Sequence, residues 1–447
     1  MKKHNIKMIS YPRLIVFYIF CTIVVGTALL MLPFSTRSGE TAGFETALFT
    51  ATSASCVTGL ILKDTYTFWS PFGQAVIILL IQIGGLGFMS FVTLVSHAFG
   101  KSIGLRNRKL IMESSGTLEL DGIMKMLKKI VLGTLLVELC GALLLSIRFC
   151  RDFGFLRGLY FAAFHSVSAF CNAGFDLMGI NKPFSSLSGY VGDPLVNITV
   201  MLLILIGGLG FIVWDDIIKN KLNFKRYRLH TKLVLTATFI LVLVPAMLFF
   251  IFEYNYSLSG LTLGEKILAS LFQAVTPRTA GFATLDNCSF TDASVLMTVF
   301  LMLIGGNSGS TAGGMKTTTF IVLLLSMISS SRKNDSINVF RRRIDYSVAH
   351  QASSIAFIYI AVTIIGTCTL CAVDGIELSA ALFEVSSAVG TVGSSMSMTP
   401  SLSSFSHYLL SLLMFGGRAG GLTLAIVLAE RKKSVAVIHP AEKILIG

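Results

Sequence analysis

This chain is short of charge. Asp, Glu, Lys and Arg make up 13% of its 447 residues, against 53% hydrophobic residues. An ordinary soluble domain carries roughly 25% charge. That shortage excludes a water-soluble enzyme or binding module and points to a polytopic membrane protein. A soluble domain is missing as well, because the loops between apolar stretches are too short to bury a core. Any elaborate regulation must therefore come from another chain. The eight cysteines do not form a secreted disulfide framework: Cys21, Cys140, Cys368 and Cys371 fall in predicted helices. Cys368-x-x-Cys371 has redox or zinc spacing but lacks a second pair or a histidine cluster. These two read as small residues on one face of a buried helix.

What is present is apolar length. Eight stretches reach the roughly 20 residues that a bilayer requires, near 13–34, 72–98, 130–149, 195–214, 233–253, 293–328, 352–373 and 408–429. The first is too long for a cleaved signal peptide and leads directly into further spans. The net charge of +13 follows topology rather than nucleic-acid binding. Of 36 basic residues, 26 fall in five clusters: Lys2 to Arg13, Lys101 to Lys129, Lys219 to Lys232, Arg332 to Arg343 and Arg431 to Lys443. Positive charge stays on the cytoplasmic side. Both termini and the three loops between repeats are thus expected in the cytoplasm of a multi-pass cell-membrane protein.

One pattern recurs four times. Phe49, Phe164, Phe272 and Phe383 are followed by Gly59, Gly174, Gly281 and Gly393 after 10, 10, 9 and 10 residues. The glycines stand 115, 107 and 112 positions apart, and such periodicity sets the architecture. The expected fold is an all-α polytopic membrane protein. Four pseudo-symmetric M1–pore helix–M2 repeats surround a central pore, giving eight transmembrane helices and four re-entrant pore helices. The expected units are 1–100, 101–220, 221–335 and 336–430, with a cytoplasmic tail at 431–447.

Each unit holds a third, shorter element: Phe44–Cys56, Tyr160–Cys171, Glu265–Pro277 and Ser379–Val389. About a dozen residues cannot span a bilayer, and irregular backbone at membrane depth survives only when buried or lining a wet cavity. The turns that follow contain Val57-Thr58-Gly59, Asn172-Ala173-Gly174, Thr279-Ala280-Gly281 and Thr391-Val392-Gly393, with no acidic side chain among them. Coordination of an ion would then come largely from backbone carbonyls. Glycine permits the required backbone angles, and converging helix C-termini favour a cation. Glu138, His165, Gln273 and Glu384 lie in or near these elements and are read as hydrogen-bonding groups behind the turns.

The second crossing of each unit carries its own glycine cluster, beginning at Gly84, Gly207, Gly305 and Gly416. The third is exceptional. Gly305, Gly306, Gly309, Gly313 and Gly314 fall within ten residues, interleaved with Asn307, Ser308, Ser310 and Thr311. At about 1 kcal/mol per helical glycine, this segment over 305–316 is expected to break its helix, and a small segment there is suited to plug the pore. Lys316 and Arg418 are charges inside spans, which normally face water or a partner. Lys316 has a second reading, as a side chain that snorkels to the cytoplasmic interface.

At these turns the chain resembles the Trk/Ktr/HKT superfamily of potassium transporters, and in pattern the KtrB-like membrane subunit of Ktr systems. Thr276-Pro277-Arg278-Thr279-Ala280-Gly281-Phe282 is the most specific match. The resemblance implies potassium preference from Gly at position 59, a gating loop under the filter and a basic residue, matching Arg418, at that constriction. It also implies a homodimer of membrane subunits, packed in part through Val435–Gly447, and a cytosolic ring of nucleotide-binding RCK subunits. Cys56, Cys171 and Ser394-Ser395 depart from the family pattern. No cofactor is expected on this chain; potassium is the transported ion and sodium a candidate activator. The alternative is a sodium-translocating member or a sodium-coupled transporter of another small solute. Gly306-Asn307-Ser308-Gly309 also fits an intramembrane serine protease motif, but no histidine base lies at matching depth. A phosphate-binding loop is disfavoured: Met315 stands where the lysine belongs, and an apolar helix rather than a strand precedes it.

Overall fold

Long runs of Leu, Ile, Val and Phe with few turn residues dictate helices, and helices account for nearly all the regular structure. The computed structural model describes residues 11–98, 123–221, 223–333 and 336–420. The Lys2–Lys7 cluster, most of the Lys101–Lys129 loop, the end of the eighth span and the whole 431–447 tail lie outside the described residues. In chain order the helices are α1 Tyr11–Leu30, α2 Phe44–Ser55, α3 Thr65–Phe68, α4 Pro71–Ala98, α5 Ile123–Phe153, α6 Phe155–Phe170, α7 Pro194–Leu209 and α8 Phe211–Asn220. They continue with α9 Leu229–Glu253, α10 Leu263–Val275, α11 Asp292–Leu303, α12 Thr317–Ser331, α13 Tyr346–Asp374, α14 Leu378–Gly390 and α15 Ser404–Ala419. Short 3₁₀ turns link several of them.

Burial runs inside out relative to a soluble protein. Apolar side chains on the long helices face outward: Leu132, Leu135, Leu136, Leu139 and Leu143 of α5 are all exposed. The short helices α2, α6, α10 and α14 are buried along most of their length. An apolar rim around a mostly enclosed centre fits hydrocarbon outside. Small residues let these layers close. A side chain on Gly141 of α5 would meet Ser166 and Leu203, and one on Gly26 of α1 would meet Leu80 and Ala51.

Three details differ from the sequence reading. First, the apolar segments that carry the first three glycine clusters all break there, not the third alone, and the helix of the fourth ends at its own cluster. Gly87 sits at φ 75° inside α4, α7 and α8 meet at 95° across Gly210, α11 and α12 are separated at 305–316, and α15 stops at Gly420 with φ 85°. A positive φ cannot continue a right-handed helix. Second, the basic stretch before the fourth unit contains an antiparallel hairpin, β1 Ile337–Val339 with β2 Arg342–Ile344, in register Ile337↔Ile344. Its turn residues Phe340 and Arg341 take positive φ, which matches the twist of a two-residue hairpin turn. Third, Cys368 is exposed and Cys371 only half-buried, so their helix face is not a buried one. The short helices keep the expected places, with α6 beginning earlier than foreseen because Gly154, at φ 82°, ends the preceding helix directly.

Candidate ion pathway

Each short helix runs into a loop with the same backbone signature. Val57 and Gly59, Asn172 and Gly174, Thr279 and Gly281, and Thr391 and Gly393 all have positive φ. Non-glycine residues adopt this region only where the surroundings enforce it. Here a hydroxyl residue five or six positions before each glycine supplies the constraint. Ser53 O accepts from Thr58 N at 2.8 Å, and Ser53 Oγ accepts from Gly59 N at 3.0 Å. Ser387 repeats this with Val392 N and Gly393 N at 2.8 and 3.0 Å. Ser168 O accepts from Ala173 N, and its hydroxyl donates to Phe175 O at 2.7 Å. Thr276 O accepts from Ala280 N, and its hydroxyl donates to Phe282 O at 2.5 Å. Loop N–H groups are thereby drawn back toward the helices, which frees loop carbonyls for the other side.

The four loops close on one another in sequence order. A side-chain carbon placed on Gly59 would meet Ala173 O and stand 3.2 Å from Gly174 Cα. On Gly174 it would stand 2.7 Å from Ala280 O and 3.0 Å from Gly281 Cα; on Gly281 it would meet Val392 O, 3.2 Å from Gly393 Cα. On Gly393 it would meet Thr58 O, 2.8 Å from Gly59 Cα, which completes the ring. Thr58, Ala173, Ala280 and Val392 therefore each bring a carbonyl against the next glycine. Any side chain at the four glycines would fill that space. The partly negative ends of four helices stop just before it.

Not every expected loop side chain belongs to this ring. Val57 packs toward α4, 3.0 Å from where a side chain on Gly84 would begin. Asn172 turns its amide away, with Nδ2 donating to Thr279 Oγ1 at 3.4 Å and Oδ1 accepting from Thr311 Oγ1 at 3.4 Å. Of the supporting polar groups, Glu384 accepts from Thr399 Oγ1 at 2.7 Å, from Met396 N at 3.1 Å and from Ser395 Oγ. His165 Nε2 accepts from Leu177 N at 3.3 Å. Gln82 Nε2 donates to Glu138 at 3.2 Å, and Cys171 Sγ reaches Gln82 at 3.5 Å. Gln273 departs from the expectation: both amide atoms are buried without a partner among the described residues.

Beneath the ring lies the glycine-rich break. Gly305 N donates to Met315 O at 2.8 Å and Thr317 N to Gly306 O at 3.0 Å, pinning the two ends of the break together. Asn307 donates from its backbone and from Nδ2 to Gly208 O at 3.1 and 2.9 Å. Gly309 O accepts from Phe211 N at 2.9 Å. Ser310 Oγ closes on Asn307 O at 2.6 Å, and Ser308 Oγ meets Thr318 Oγ1 at 3.1 Å. Gly313 faces Thr391, and a side chain on Gly314 would stand 2.8 Å from Gly390 O, so the break touches the fourth loop directly. Thr311 is the hub: its hydroxyl donates to Phe170 O at 3.1 Å, and its carbonyl accepts from Arg418. Arg418 also donates to Gly84 O and to Gly85 O at 3.5 Å. Lys316 Nζ bonds Ala312 O at 2.7 Å and Gly313 O at 3.3 Å, so it is held within the break rather than reaching outward. Among the described residues neither cation has a carboxylate partner. Among the described residues the partner of Ser308 Oγ is Thr318, and His407 bonds Glu45 and Thr399 O.

Comparison with known proteins converges on one family. The sequence profile of the TrkH family, described as cation transport protein, matches residues 14–437. Ktr system potassium uptake protein B of Bacillus subtilis is 41% identical over 95% of this chain and 94% of its own length. The potassium/sodium uptake protein NtpJ of Enterococcus hirae is 37% identical over 100% and 99%. In fold, the potassium transporter TrkH from Vibrio parahaemolyticus superposes with a TM-score of 0.75 at 18% identity, covering 96% of this chain and 87% of that one. Apolar helices and a match over nearly the whole length lead to one conclusion: the chain belongs to the TrkH family of cation transport proteins, membrane transporters and not enzymes.

Proposed function

We propose that this protein takes potassium into the cell through a channel-like pore whose filter is the ring of four glycine loops. The ring itself carries the reading. Four carbonyls, each against the next loop's glycine, offer oxygen ligands that replace a hydration shell, with no acidic side chain in the loops. The filter comprises Val57-Thr58-Gly59, Asn172-Ala173-Gly174, Thr279-Ala280-Gly281 and Thr391-Val392-Gly393, with Thr58, Ala173, Ala280 and Val392 nearest the ion. The four M1–pore helix–M2 units surround it, and the outer apolar face meets lipid. Residues 305–316 form the gate. Lys316 and Arg418, two cations without carboxylate partners among the described residues, supply an electrostatic barrier while the break is closed.

The relatives named as parts of Ktr systems support a further extension. The chain works as a homodimer on a cytosolic ring of nucleotide-binding subunits, with both termini in the cytoplasm and sodium as an activator. The name of the Enterococcus relative keeps sodium as a second transported ion in view. Growth of a potassium-uptake-deficient bacterium on limiting potassium tests the reading. The intact chain with its regulatory subunit restores growth. Gly59→Ser weakens the rescue when sodium is abundant. Equal rescue by both at every sodium concentration would contradict a filter role for Gly59.

A further inference from the structure

Behind the third loop lies a cavity with about 10 Å3 of space for a water centre, lined in part by Asn172, Gly208, Thr238, Arg278 and Asn307. Three of these residues carry enclosed polar atoms without a partner among the described residues: Arg278 Nε, Asn307 Oδ1 and Thr238 Oγ1. Asn307 is fully buried, Arg278 is 5% exposed, and Thr238, a partly exposed residue, keeps its hydroxyl enclosed. Enclosed polar atoms left unmet are rare because the desolvation cost is not recovered. Three around one small cavity call for a shared partner.

The chemistry of the three atoms identifies it. Nε only donates, an amide oxygen only accepts, and a hydroxyl does either. The amide of Asn307 is fixed, because Nδ2 donates to Gly208 O at 2.9 Å. A halide would satisfy Arg278 but repel Oδ1. A metal cation would be repelled by the guanidinium. A water accepts from Nε, donates to Oδ1 and exchanges its third bond with Thr238, and the volume suits one water.

We propose that a single buried water joins Arg278 of the third loop to Asn307 of the glycine-rich break, with Thr238 as its third partner, and that it helps hold the break closed. This rests on the reading of 305–316 as a gate. Thr238 lies on α9, outside both the ring and the break, and acts as a positioning residue through the water.

The test is rubidium flux in proteoliposomes holding the full chain, for Thr238→Val and Thr238→Ser, with deletion of Gly305–Gly314 as reference. Thr238→Val keeps the shape and removes the hydroxyl; it raises flux about two- to tenfold, the worth of one hydrogen bond. Thr238→Ser stays at the parent level, and rubidium-over-sodium preference is unchanged in both. Independently of any variant, a high-resolution structure of the parent shows an ordered water about 3 Å from Arg278 Nε and Asn307 Oδ1. Equal effects of Val and Ser would assign the change to packing and overturn the proposal. So would parent-level flux in Thr238→Val, or a structure in which Arg278 bonds Asn307 directly. If the deletion raises flux while Thr238→Val does not, only the water link fails. If the deletion has no effect, the gate reading fails and the proposal with it.

Discussion

At the scale of single residues, the ring depends on hydroxyls as much as on glycines. Ser53 and Ser387 accept the N–H of Gly59 and Gly393 through their side chains. Ser53→Ala or Ser387→Ala leaves that N–H unmet, at a cost of about 1–3 kcal/mol when buried. The expected result is a lower thermal midpoint and a lower rubidium-to-sodium flux ratio; unchanged selectivity in folded protein would show that the hydroxyls do not set the loop. The glycines were legible in the sequence because they recur at matched spacing. Ser53, Ser168, Thr276 and Ser387 recur too, but hydroxyls in apolar helices usually bond their own backbone and so gave no separate signal. The direction of Asn172 was not legible. Its partners Thr279 and Thr311 lie 107 and 139 residues away, and only packing brings them within reach.

At the scale of elements, the short helices were readable from length alone, since a dozen apolar residues cannot cross a bilayer. The breaks were only partly readable. Gly84-Gly85-Leu86-Gly87 and Gly207-Gly208-Leu209-Gly210 sit in strongly apolar runs, where the propensity cost of glycine is usually outweighed by packing. The structure shows why the chain turns there. Gly210 takes φ 94°, and a side chain on it would stand 2.7 Å from Ser308 O of the break. Gly210→Ala should therefore lower stability by about 1–3 kcal/mol, whereas Gly264→Ala, with nothing near it, should stay within about 0.5 kcal/mol. Thermal unfolding in detergent separates the two; equal effects would mean that the turn at Gly210 is not enforced. Arg418 belongs to the same scale, because it ties the fourth unit to Thr311 of the break and to Gly84 of the first unit. On the proposed gate reading, Arg418→Gln removes a charge bonded to the break and should raise cation flux severalfold with little change in selectivity. Flux at or below the parent level in folded protein would count against an electrostatic barrier.

At the scale of the whole molecule, one polypeptide encloses an axis that four sequence-distant glycines share. The contacts Gly59–Gly174, Gly174–Gly281, Gly281–Gly393 and Gly393–Gly59 run once around in chain order, and the break at 305–316 lies beneath them, touching the second and fourth loops. The ring of loops and the glycine-rich break are thus adjacent parts of one fold. The periodicity marked the four glycines whose loops meet; the cross-unit bonds that hold the break could not be read from spacing. The most direct measurement is the ratio of rubidium to sodium flux in proteoliposomes, for the parent chain, for Gly59→Ser and for deletion of Gly305–Gly314. The account predicts a parent that prefers rubidium, a Gly59→Ser variant with a reduced ratio, and a deletion variant with raised flux and an unchanged ratio. A folded parent and deletion variant that pass no cation, or a Gly59→Ser variant with the parent's ratio, would contradict it.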